Sequence, residues 1–217
     1  MDFNNYLLGK VLIIPAILLA FTFHEYAHAI VADKLGDETP RLQGRITLNP
    51  FAHIDIIGFI MILLVNFGWA KPVQTNPSVY KNYYKDDLKV SIAGPLANLF
   101  IAIVAVILLV IFEKVVLSNE NLYQIIYTII YFTAYLNSLW FFLNLLPVPG
   151  FDGFHILNDI FPKQLYKVSN TLYNYRMLIF LILVLPLIGK YSVFDFLVGV
   201  PGEALLNSLY KIITSLI

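Results

Sequence analysis

His24, Glu25 and His28 stand in the order His-Glu-x-x-His, with Tyr26 and Ala27 between them. Side chains four apart on a helix lie one above the other on the same face. Both imidazoles can then reach one metal ion, with Glu25 beside it to take a proton from water. The pattern falls in an apolar run from about Leu7 to Ala32. Two imidazoles and a carboxylate at membrane depth are costly unless paired or ligated, so packing alone does not account for them.

A catalytic zinc takes three protein ligands and keeps a fourth position open. The chain has no cysteine, which excludes disulfides, thiol catalysis and thiolate ligands and leaves only His and carboxylates. The remaining candidates are His53, His155 and carboxylates near a membrane end. Asp152 stands in Asn144-Leu145-Leu146-Pro147-Val148-Pro149-Gly150-Phe151-Asp152-Gly153, just past a long apolar run. Its prolines and glycines break a helix, which at membrane depth is tolerated only where the freed backbone lines a buried or wet cavity. The alternative for Asp152 is an ordinary Asp-Gly turn at the interface.

Four long apolar runs must position these groups: Leu7 to Ala32, Ile92 to Phe112, Leu122 to Leu146, and Met177 to Ile188 followed by Val193 to Ile217. About 20 apolar residues cross the hydrocarbon layer, and the first three runs qualify. The last region is two spans, or one span plus an interfacial helix carrying Glu203, Asn207 and Lys211 at four-residue spacing. Hydrophobic residues make up 59% of the chain and charged residues 13%, against about a quarter charged in soluble domains, so much of the surface faces lipid. The formal net charge is zero, leaving no global field to attract nucleic acid. The N-terminus lacks a basic n-region and a small-residue cleavage site, so the first run reads as a retained span.

Arg41 to Pro50 has Gly44 followed by Ile46 and Thr47 and predicts a short strand or hairpin. Ile54 to Ala70 is apolar but carries Asp55, Gly58, Asn66 and Gly68, and either crosses the membrane or dips in and returns. Basic residues accumulate in cytoplasmic loops. If the segment crosses, eight basic residues share one side and five the other. If it returns, Lys34, Arg41, Arg45, Lys71, Lys81, Lys85, Lys89, Lys163, Lys167 and Arg176 face Lys10, Lys114 and Lys190, the stronger bias. The returning path also delivers His28 and Asp152 to one face, whereas the crossing path separates them by about 30 Å. The expectation is a re-entrant segment, with Gly58 and Gly68 permitting its turns, the N-terminus outside and the Lys-rich loops in the cytoplasm.

HEYAHAIVADKLGDETPRLQGRITLNPFAHID, GWAKPVQTNP, AGPLAN and NLLPVPGFDG occur in that order between about Phe23 and Leu157. Together they resemble the short, minimal intramembrane zinc metalloproteases of the site-2 protease family. The resemblance implies an all-α polytopic fold with a three-helix catalytic core and one zinc per chain, held by His24, His28 and Asp152. It implies Glu25 as the base in water attack on a peptide bond and Asn144 near the substrate or oxyanion. Phe151 stands where the family usually has Leu, and Gly150 where a second Pro is common. The expected organisation is one membrane domain over 1–217, its catalytic core about 7–157 and its C-terminal helices about 176–217. Substrates would be membrane proteins cut in or near a transmembrane helix in the cell membrane, near the cytoplasmic face. Such a helix must unwind before attack, and Arg45 to Leu48 is the expected edge for strand addition. His53 and Asp55 are left between an active-site contact, a gate and a structural bond, and His155 reads as an interfacial His. The competing readings are a membrane metal-ion transporter and an inactive relative that binds helices. The apolar run Ile101 to Phe112 argues against the first and the intact Glu25 against the second.

Overall fold

The computed structural model describes residues 3–65, 68–187 and 189–217. Asn66 of the Ile54 to Ala70 segment and Ile188, the end of one apolar run, lie outside the described residues. Helix α1 (Phe3–Leu12) leads into α2 (Ile14–Lys34), which opens on Pro15, where a missing N–H costs nothing. A short helix α3 (Thr39–Leu42) and α4 (Ile56–Val65) precede two long helices, α5 (Tyr83–Phe112) and α6 (Glu120–Asn144). After these come α7 (Asp152–Ile160), α8 (Pro162–Leu165), α9 (Ser169–Asn174), α10 (Arg176–Val184) and α11 (Val200–Leu216).

Among the described residues, four helical stretches have the length and composition to cross a membrane: Leu8–Lys34, Tyr83–Phe112, Glu120–Asn144 and Asp195–Leu216. The chain is thus a multi-pass membrane protein, and α2, α5 and α6 pack on one another at its centre. Helix α2 approaches its neighbours through Ala16, Ala20, Ala29 and Ala32, all fully buried. In lipid, where apolar side chains gain nothing by meeting each other, such small residues let backbones come close. Helix α11 closes the other flank, seating Leu206 and Ile213 against Ala105, Val106 and Val110 of α5 and Ala134 of α6. Among the described residues the C-terminal region therefore holds one helix of crossing length, while α10 has only 9 residues.

The strand or hairpin expected over Arg41 to Pro50 is absent. That stretch is the end of α3 followed by turns. Arg45 donates its backbone N–H to Pro40 at 2.8 Å, and the Arg45 carbonyl accepts from Thr47 at 3.0 Å. These local bonds consume the groups an edge strand would offer, so the edge expected at Arg45 to Leu48 does not exist. Helix α4 spans 10 residues, about 15 Å, half a hydrocarbon layer. The two ends of its segment meet: Ile54 pairs antiparallel with Ala70, and Lys71 donates its N–H to the His53 carbonyl at 2.9 Å. Gly58 and Gly68 serve close packing rather than turning. A Cβ on Gly58 would strike the Trp69 backbone, and one on Gly68 would strike the Gly58 carbonyl.

Candidate metal centre

His24 and His28 lie on the buried side of α2, facing α5. Directly opposite is Gly94, where an added Cβ would collide with both imidazoles. The next residue, Pro95, has no N–H for the Ser91 carbonyl and disturbs the helix ladder one turn below. Val90, beside that break, offers its carbonyl oxygen to His28 Nδ1 at 2.7 Å. His24 Nδ1 meets Asn98 Oδ1 at 2.8 Å. Asn98 Nδ2 donates to the Ala20 carbonyl and to Asn137 Oδ1, at 3.3 and 3.0 Å, which fixes the amide's orientation. Asn137 in turn donates to the Thr133 carbonyl on its own helix, α6.

These bonds decide the imidazole tautomers. Both Nδ1 atoms face pure acceptors, so both carry the proton, and in the neutral rings each Nε2 presents a lone pair. The two Nε2 atoms lie 3.0 Å apart. Asp152 Oδ2 approaches them at 3.2 and 3.3 Å, and this buried oxygen has no hydrogen-bond donor. Three electron-rich atoms converge, all within 4.8 Å of one another. Left without a shared cation, they repel. The donor set fits a zinc ion: two imidazole nitrogens and one carboxylate, with room in the tetrahedron for a fourth ligand.

Asp152 reaches this point because α6 ends at Asn144 and the chain turns back within a few residues. Gly153 crosses so close to the end of α6 that a Cβ there would strike the Leu145 and Leu146 carbonyls. Asp152 is the first residue of α7, where the helix dipole favours a carboxylate. Phe154, fully buried and edge-on to Tyr173 at 5.1 Å, anchors that helix.

Glu25 is buried beside His24, and its Oε2 accepts the Val73 N–H at 2.7 Å. Val73 belongs to an irregular strap, Lys71 to Asn76, tied at its far end by Asn76 N–H to Asp37 Oδ2 at 2.6 Å. Asn144 is half-buried and makes no side-chain hydrogen bond among the described residues. His53 is fully buried, with Nε2 at 2.7 Å from the Thr47 carbonyl, and Asp55 caps α4 by accepting the Gly58 N–H at 2.8 Å. Both make structural bonds. His155 is exposed and outside the cluster.

Sequence reading did not single out Asn98, Asn137, Gly94 or Asp37. A weak signal existed for the asparagines: a polar amide inside a lipid-length apolar run needs a partner, which for Asn98 is His24. Gly94 entered only within the AGPLAN motif and without a role, because its importance depends on which helix lies opposite.

A helical membrane protein with a buried, convergent His-His-Asp cluster and a neighbouring Glu belongs to the class of membrane metallohydrolases. The chain belongs to peptidase family M50, the site-2 protease family, whose model matches residues 12–123 and 111–185. It is 36% identical over 192 residues to the candidate zinc metalloprotease YwhC of Bacillus subtilis, covering 85% of each chain. It is 26% identical to the candidate zinc metalloprotease Rip2 of Mycolicibacterium smegmatis, covering 86% of this chain and 74% of that one. The candidate zinc metalloprotease MJ0611 of Methanocaldococcus jannaschii is 29% identical, with 71% and 73% covered. No solved structure gives a significant match.

Proposed function

We propose that this chain is an intramembrane zinc endopeptidase that cuts membrane proteins in or near a transmembrane helix. The observation that carries the reading is the convergence of His24 Nε2, His28 Nε2 and Asp152 Oδ2, an arrangement of acceptors that a divalent cation completes. Zinc held there would polarise a peptide carbonyl and bring the acidity of water near neutrality. The other parts are the chain's own. Asn98 and the Val90 carbonyl hold the two imidazoles in the ligating tautomer. Glu25 takes the proton of the attacking water as the new C–O bond forms, then passes it to the amine nitrogen as the peptide C–N bond breaks. Asn144, at the end of α6, is retained as a donor to the oxyanion once substrate is present.

The substrate class follows from the surroundings. His24 and His28 sit on a helix of membrane-crossing length, His28 about 9 Å of helix from its Lys34 end. The side that end faces is the cytoplasm, by the basic-residue bias. A substrate helix hides its carbonyls in its own hydrogen bonds and must unwind before attack.

The test is cleavage of a single-span membrane substrate by purified protein, with zinc measured on each variant. Wild type carries about one zinc per chain. His24→Ala, His28→Ala and Asp152→Ala each lose it, whereas Glu25→Gln keeps zinc and loses cleavage. Zinc content unchanged in Asp152→Ala removes the third ligand from this reading, and near-normal cleavage by Glu25→Gln removes the base.

A further inference from the structure

One buried cation lies outside the ligand set. Arg45 is only 3% exposed, although arginine seldom leaves water without a charged partner. Its Nη2 donates to the Lys71 carbonyl and lies 3.8 Å from Glu25 Oε2, the oxygen that also accepts the Val73 N–H. Its Nε is buried without a partner. The turn that carries Arg45 is tied down by His53, which bonds the Thr47 carbonyl through Nε2 and receives the Lys71 N–H on its own carbonyl. The strap is thus fixed on both sides of Val73, at Lys71 by His53 and Arg45 and at Asn76 by Asp37.

We infer that Arg45 is a positioning residue for Glu25: with the Val73 N–H it pins Oε2, leaving Oε1 free to take the proton of the attacking water. A bond to the Lys71 carbonyl alone needs only a neutral donor. A permanently charged guanidinium buried here is costly unless a carboxylate answers it, and Glu25 is the carboxylate within 4 Å. The base is therefore oriented by the turn after α3 and by the strap, not by α2 alone. The inference rests on Glu25 being the base.

Two measurements on the full-length protein test it. In the zinc-loaded enzyme, Arg45→Met lowers kcat about a hundredfold, the scale of a misplaced catalytic group, with KM and zinc content unchanged. Arg45→Lys, which keeps the charge, recovers part of that loss. A raised KM with normal kcat would instead make Arg45 a strap or substrate contact and overturn the inference. The second readout needs no activity. In chelator-treated protein, the melting shifts of Arg45→Met and Glu25→Gln should not add, because the double variant removes both members of a buried pair. Additive shifts also overturn it. Should Arg45→Met fail to fold, Arg45→Gln, which keeps polar donors but removes the charge, completes the cycle with Glu25→Gln. Cleavage by Glu25→Gln at the wild-type rate, or no cleavage by wild type, defeats the assignment of the base, while the melting cycle still reports whether the two side chains are paired.

Discussion

Gly94 and Asn98, one turn apart on α5, do for the imidazoles what a scaffold does for a tool. Gly94 leaves the space the rings occupy, and Asn98 sets the tautomer of one of them. Gly94→Ala puts a methyl group where His28 Nε2 and His24 sit, and a helix packed at this density cannot simply move aside. Zinc content is expected to fall well below that of wild type while far-UV circular dichroism stays unchanged. Normal zinc content in that variant would mean α2 and α5 separate more easily than their packing implies. Asn98→Ala leaves the room but frees His24 to rotate and adopt the wrong tautomer. Loss of such an outer partner costs about 10–100-fold in metal affinity. Competition with a chelator of known affinity measures this, and an unchanged affinity would mean that the ligand geometry is set by packing alone.

At the scale of elements, α4 and its return decide whether the site exists. A segment whose ends pair at Ile54 and Ala70 is expected to enter and leave the bilayer on one side. That would place the loop after α2 and the start of α5 on the same face. The chain lacks cysteine, so single cysteines at Lys34 and Lys85 can be labelled with an impermeant reagent without background. Both should react from the cytoplasmic side and neither from the other. Reaction from opposite sides would mean the segment crosses, and would place His28 and Asp152 on different faces.

For the whole molecule, the face built by α5 and α7 carries a pH dependence. Asp159 of α7 is half-buried near Asp87, and one of its oxygens is buried without a partner. Burial, then the neighbouring charge of Asp87, raises its pKa to about 7. An acid whose folded pKa lies above its unfolded value holds its proton in the fold after the unfolded chain has lost it. Folded stability from this group is therefore highest at acid pH and declines as pH rises from about 4 to about 7. Asp159→Asn abolishes that decline. In detergent, its melting temperature should exceed that of wild type at pH 8 and converge with it at low pH, apart from the pH-independent effect of the substitution. Parallel pH profiles for the two proteins would show that Asp159 ionises in the fold like a surface carboxylate.

The residue pattern alone marked the candidate chemistry and three of the lipid-length helices. His24, Glu25 and His28 share a helix face because of their spacing alone, and apolar length marks α2, α5 and α6 without any knowledge of neighbours. Asp152 was legible by a parity argument, since charge asymmetry and the broken helix after Asn144 both bring it to the face where His28 lies. Periodicity and composition are local or nearly so, which is why they survive in a single chain. The turns around Arg45 were not legible, because Gly44, Ile46 and Thr47 have β-favouring or turn-forming types, and local bonds to Pro40 and Arg45 together with His53 and the strap settle them as a turn. The reasons for Gly58, Gly68 and Gly94 were equally hidden: each is a glycine because of a backbone or ring that arrives from elsewhere in the chain. The amide that faces His24 and the cation that faces Glu25 emerge from folding alone, since a hydrogen bond across 74 residues, such as His24 to Asn98, leaves no periodic trace in the chain.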